Sequence, residues 1–180
     1  MELKTKADNF WQFYLNNPEK FEERINPLKK YGNYAFLAVC VLLIIFPGVI
    51  PTSPWIVRIA SIIGLIYFGF SALTGGREMY SKASNGKLTN LLVKKFDMDN
   101  CDESDIINAF YAQDFDALAD FPEADNQPIQ LYVEVDKAGK ELYCVIKKYY
   151  SSSDFRHATD VIVLSGSDYD KWIGVIKSMK

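Results

Sequence analysis

The single histidine of this 180-residue chain, His157, stands close in sequence to Ser151, Ser152, Ser153, Asp154 and Asp160. An imidazole among hydroxyls and carboxylates is suited to proton transfer, with the ring as general base. The same residues, Ser-Ser-Ser-Asp ahead of Phe155-Arg156-His157, are also ordinary turn chemistry, and no serine lies in a nucleophile-elbow pattern. Ser165-Gly166-Ser167 offers backbone amides that could cradle a phosphate. It lacks the Walker lysine and the dinucleotide glycine spacing, so a helix start is expected there. On these grounds the sequence assigns no catalytic residue.

Metal chemistry fares no better. Asp97-Met98-Asp99-Asn100-Cys101-Asp102 opens like a calcium loop. Cys101, however, takes a ligand position, Asp102 the turn glycine's position and Asn108 the position of the bidentate glutamate. Cys40, Cys101 and Cys144 have no CxxC partners, and one histidine cannot complete a zinc site. The expectation is free thiols, no metal and no cofactor.

The strongest compositional feature is charge. Between Phe96 and Asp136 there are twelve acids and no Lys or Arg, within a chain of formal net charge −3. This disfavours nucleic acid as a partner. The spacing predicts one helix, capped by Asp102 or Ser104, with Ile106, Ile107, Phe110, Tyr111, Phe115 and Leu118 on its apolar face. Acids early in a helix complement its dipole, whereas late ones oppose it. Asp114, Asp116 and Asp120 fall late in this reading, which makes them candidate contacts for a basic protein partner.

These residues are carried by a chain organised around two apolar runs, 34–50 and 55–74. The second is about 30 Å long as a helix, matching a bilayer's hydrocarbon core. Trp55 and Arg58 are placed as interfacial anchors, the arginine snorkelling from the first turn. Pro47, Pro51 and Pro54 form the corner, and no signal-peptide cleavage site follows the first run. Lys20, Arg24, Lys29 and Lys30 precede the hairpin, and Arg77, Lys82, Lys87, Lys94 and Lys95 follow it. By the positive-inside rule both termini face the cytoplasm of a plasma or inner membrane. Ala60, Gly64 and Ser71 recur at offsets of four and seven, a small-residue face open to the first span or to a second copy.

Residues 1–33 read as two short amphipathic helices, lying on the bilayer or packed on the soluble domain, and 75–95 as basic juxtamembrane helices. Residues 96–180 read as a cytoplasmic domain. In it, strands over 129–135, 142–150 and 160–164 form a three-stranded antiparallel sheet closed by a helix over 169–179. Ser167 and Asp170 resemble a capping box there. The fold class expected is therefore an α+β membrane protein: a two-helix transmembrane hairpin followed by a small cytoplasmic domain. The function expected is non-enzymatic: the domain binds a protein partner as an adaptor, regulator or immunity protein. Two alternatives stand beside it. One is a membrane effector whose hairpin oligomerises on sensing a ligand; the other is an enzyme acting through His157 on a membrane-proximal substrate.

Overall fold

The structure, a computed structural model, describes residues 3–74, 76–151 and 154–180. The elements in chain order are α1 (Phe10–Asn16), β1 (Phe21–Ile25), α2 (Pro27–Ile45), a 3-10 turn (Pro47–Val49), α3 (Pro54–Thr74), β2 (Arg77–Ser81) and β3 (Leu88–Lys95). There follow α4 (Glu103–Tyr111), α5 (Phe115–Asp120), β4 (Ile129–Asp136), β5 (Glu141–Ser151), β6 (Asp154–His157), β7 (Ile162–Ser165) and α6 (Ser167–Ser178). They form two compact units. One is Glu23–Glu78; the other comprises the residues up to Glu22 together with Met79–Lys180.

The smaller unit is the helical hairpin. Asn26 caps α2 by accepting from the backbone N–H of Leu28 (3.0 Å) and Lys29 (3.3 Å), and Pro27 takes the first helical position. Proline is well placed there, because that N–H has no intrahelical partner. Asn26-Pro27 therefore starts the first apolar helix and does not end a preceding one. The run expected over 34–50 begins at 27 and ends at 45, and the expected second N-terminal helix is the strand β1. The second apolar run closely matches α3. Along the hairpin Phe36 stacks on Phe68 (4.8 Å, 11°), and Asn33 Nδ2 donates to Ser71 Oγ at 2.9 Å. Next to the strand end, Glu78 is buried and accepts from Lys29 Nζ (3.0 Å) and Asn26 Nδ2 (3.1 Å).

The larger unit is built on a five-stranded sheet of order β3-β4-β5-β6, with β7 pairing the other end of β5; β1 and β2 form a separate two-stranded sheet. The sheets are thus larger than the three strands expected. β5 is central, and Leu142 to Ile146 are buried without a break, as befits a strand covered on both faces. On one face Leu131, Val133 and Leu142 meet Ile106, Phe110, Phe115 and Trp172 from α4, α5 and α6. On the other, Tyr143 and Val145 meet Phe10, Phe13 and Tyr14 of α1. The amino-terminal helix therefore packs on the domain.

The segment 75–95, read as basic juxtamembrane helices, holds the strands β2 and β3 instead. The cause is local. Between Asn90 and Leu92 the register of β3 against β4 shifts, leaving Leu91 as an extra residue. A bulge breaks period-two alternation, so Leu88, Leu91, Leu92 and Phe96 mimic helical spacing. The loop expected over 151–158 contains the edge strand β6. The single acidic helix is two, α4 and α5, parted at Gln113, whose φ of 55° lies in the left-handed region. At α6 the N-cap is Gly166, with no side-chain capping bond, so Ser167 and Asp170 make no capping box.

Asp136 is fully buried at the end of β4 and holds the following turn. It accepts from the N–H of Ala138 (3.0 Å) and Gly139 (2.9 Å) and from the Ser84 hydroxyl. A side chain on Gly86 would collide with this carboxylate. The glycine is needed for the close approach, not for an unusual φ.

Candidate functional site

The polar residues of the sheet face under α1 form one cluster. Tyr132 and Glu134 on β4 and Lys147 on β5 alternate with core residues, a pattern that in isolation signals a solvated face. The aromatic side of α1 covers them instead. Tyr14 donates its hydroxyl to Glu134 Oε2 at 2.6 Å, and Asn90 donates to the Tyr132 hydroxyl at 2.8 Å. Lys147 Nζ lies 3.4 Å from the centre of the Tyr132 ring and 5.6 Å from that of Phe10, an ammonium held over aromatic faces. Burial pushes the Lys147 ammonium down, and the Glu134 carboxylate opposes it. Burial pushes Glu134 up, opposed by the Tyr14 hydroxyl and by Lys147. Each ion stabilises the other's charge against the low dielectric.

His157 adjoins this cluster at the end of β6. Its ring meets Phe10 edge-on at 5.1 Å, and its backbone N–H donates to the Asp8 carbonyl at 2.9 Å. Both ring nitrogens are out of water. The Ala7 backbone is near enough to favour the charged ring, yet among the described residues no group meets hydrogen-bond geometry at either nitrogen. Burial, with Lys147 adding to it, brings the ring down to about 4, so it is neutral at pH 7. Beside it is a cavity of about 440 Å³ lined by Lys6, Asp8, Gln12, Tyr111, His157 and Asp160, among others.

Of the described residues expected to serve a histidine base, Asp160 lines this cavity with His157, whereas Asp154 and Ser151 do not. Asp154 is paired with Arg156 at 2.9 Å, and Ser151 is exposed on the last residue of β5. Ser152 and Ser153 lie outside the described residues. Among the described residues no three His, Cys, Asp or Glu side chains converge on a possible metal position. What the arrangement offers is a polar recess beside a neutral imidazole. Sequence reasoning missed Lys6, Gln12 and Tyr111 as neighbours of this recess, and Lys147 as a charge acting on His157. The available signal was the aromatic run Phe10-Trp11-Gln12-Phe13-Tyr14, which has to cover something.

The acidic segment spends many of its charges on structure. Asp97 accepts from the Asp99 N–H and the Asn100 side chain, Glu103 pairs with Lys148 at 2.6 Å, and Asp125 pairs with Lys95 at 3.0 Å. Asp114 caps α5 by accepting from the Ala117 N–H at 3.0 Å, and Asp116 lies in the first turn. The break in the helix therefore turns these two acids from late to early, where they favour the helix dipole. Asp120 closes α5. All three are exposed. Lys94, counted above with the basic flank, is buried and donates to the Ala119 carbonyl at 2.6 Å.

In the hairpin, Gly64 sits against Cys40: a Cβ placed there would come within 2.8 Å of its Sγ. Ser71 is bonded to Asn33, so two of the three small residues face α2. Ala60 is exposed, whereas its neighbour Ser61 is buried. Trp55 and Arg58 are exposed in the first turns of α3. Helices α2 and α3 are both long and apolar enough to cross a membrane, and few of their residues are buried. Comparisons with protein-family models, curated proteins and solved structures gave no match.

Proposed function

We propose that this is a non-enzymatic two-span membrane protein that presents its α+β domain on the cytoplasmic side to bind a protein partner. The observation that carries the reading is the exposure of α2 and α3. A core helix hides its apolar residues, but here Ile56, Ile59, Ile63, Ile66, Tyr67 and Phe70 all face outward. Lipid is the solvent that suits such a surface. With Lys29 and Lys30 in the first turn of α2 and Arg77 after α3, the basic flanks support cytoplasmic termini of a plasma or inner membrane. Among the described residues of the sheet domain no catalytic constellation is assembled around His157, which supports binding over chemistry. Its exposed acids Asp116 and Asp120 suit a basic partner surface.

The test combines topology with capture. Cys101 is the partly exposed thiol, since Cys40 and Cys144 are buried. An impermeant maleimide should label Cys101 only after cells are permeabilised. A photocrosslinker at Ala112, which is exposed between α4 and α5, should then capture one protein. The capture should disappear with Asp116→Lys plus Asp120→Lys. Labelling in intact cells would overturn the orientation, and capture unaffected by charge reversal would overturn the acidic contact.

A further inference from the structure

A second cleft, of about 560 Å³, lies between α6 and the β3–β4 edge of the sheet. Its floor is apolar: Leu91, Val135, Tyr169 and Ile173. Its remaining lining is Lys137, Lys177 and Lys180. The sequence converges here for local reasons. Tyr169, Ile173 and Lys177 recur every four residues and so share one stripe of α6. Leu91 is the bulged residue of β3, and a bulge re-aims a side chain out of the regular pleat. Lys137 opens the turn that the Asp136 carboxylate holds in place.

The electrostatics are one-sided. Among the described residues no Asp or Glu side chain lines the cleft and none pairs with these three lysines; Asp170 on the same helix is engaged with Lys140 at 3.6 Å. Three like charges around one apolar recess repel each other unless an anion joins them. The recess lies within the range of about 300–1,000 Å³ occupied by single small ligands. A stable protein contact needs a surface of roughly 1,000 Å² or more, which this cleft does not supply. A solvated lysine face needs no apolar floor.

We infer that this cleft binds a small anionic amphiphile, an acyl carboxylate whose chain lies on Leu91, Val135, Tyr169 and Ile173 and whose head group meets the three ammonium groups. The site belongs to the sheet domain and does not depend on the partner-binding reading.

The test uses the full chain in phosphatidylcholine nanodiscs with three photoreactive probes: a diazirine dodecanoate, the corresponding alcohol, and phosphatidylglycerol with the same group in one acyl chain. The carboxylate should label peptides containing Leu91, Tyr169 and Ile173, and excess dodecanoate should compete. The triple variant Lys137→Glu, Lys177→Glu, Lys180→Glu should lower that labelling about tenfold, as the loss of three partly exposed charge contacts would. These lysines are exposed, so the variant should keep its circular dichroism and melting. A single change, Ile173→Ala, gives a second reading from the floor and should also reduce labelling. Equal labelling by the alcohol, labelling by the phospholipid alone, or labelling unchanged by the lysine substitutions would each overturn the assignment.

Discussion

His157 is costly to keep as it is: an imidazole with both nitrogens shielded, an ammonium nearby and, among the described residues, no hydrogen bond at either nitrogen. The consequence is a pH dependence whose sign is fixed. The ring's folded pKa of about 4 lies below its ordinary value of about 6.5. Above about pH 6.5 folded and unfolded chains are both neutral at this residue, and its contribution is fully present. As pH falls from about 6.5 to about 4, the unfolded chain takes up a proton that the folded chain refuses, and stability is lost. Allowing for the ring's partial exposure, the loss is about 1–3 kcal/mol across that window. Glu134, raised by burial, acts in the opposite direction, so the measurement is the difference between wild type and His157→Gln. Because the chain has one histidine, a [13Cε1]-histidine label gives a single resonance. Its midpoint should lie near 4, and a midpoint near 6.5 would place the ring in water.

The elements show which parts of the fold the sequence makes readable. Strands β4 and β5 are plain in it because Ile129, Leu131, Val133 and Val135 alternate without interruption and the turn after Asp136 is rich in turn residues. The long helix α3 is equally plain, because nothing within it competes with its apolar length. Strand β3 is not readable, since one bulged residue converts a period of two into an imitation of a helix. Strand β6 is short, polar and at an edge, so it carries no hydrophobic signal. The break between α4 and α5 depends on a left-handed Gln113, and that residue type gives no warning. At the cluster beneath α1, the polar faces of β4 and β5 look solvated until the helix that covers them is known. That covering makes a testable claim about α1. Phe13 is fully buried and Leu15, two residues on, is 55% exposed. Phe13→Ala should destabilise the domain by about 3–5 kcal/mol, and Leu15→Ala should change it by less than about 0.5 kcal/mol. Denaturation of both variants would decide it. A helix lying in the bilayer interface would instead lose membrane affinity with either change.

For the molecule as a whole, the question is what solvates the hairpin. Its internal packing is made by small and aromatic contacts, Cys40 against Gly64 and Phe36 against Phe68, which leave the long aliphatic side chains of α3 outside. In water this would be an apolar patch far larger than a monomer ordinarily exposes. Ile66, two residues past the midpoint of α3, separates the possibilities because it is 68% exposed and its loss leaves the hairpin contacts in place. If the surface faces water, Ile66→Asp relieves an exposed hydrophobe and should be neutral or improve solubility. If it faces lipid, an aspartate near the helix centre costs about 2.5–3.5 kcal/mol of insertion, beyond the small gain lost with the isoleucine. The expected outcome is the second. Wild type should stay with membranes through carbonate extraction, and Ile66→Asp should release a substantial fraction of the chain or direct it to degradation. An aspartate at Ser61, which is buried, should be as damaging in either solvent, because an acid there meets packed neighbours. Loss of membrane retention from Ile66→Asp alone would therefore report lipid contact, and full retention would remove the physical basis for the anchored reading.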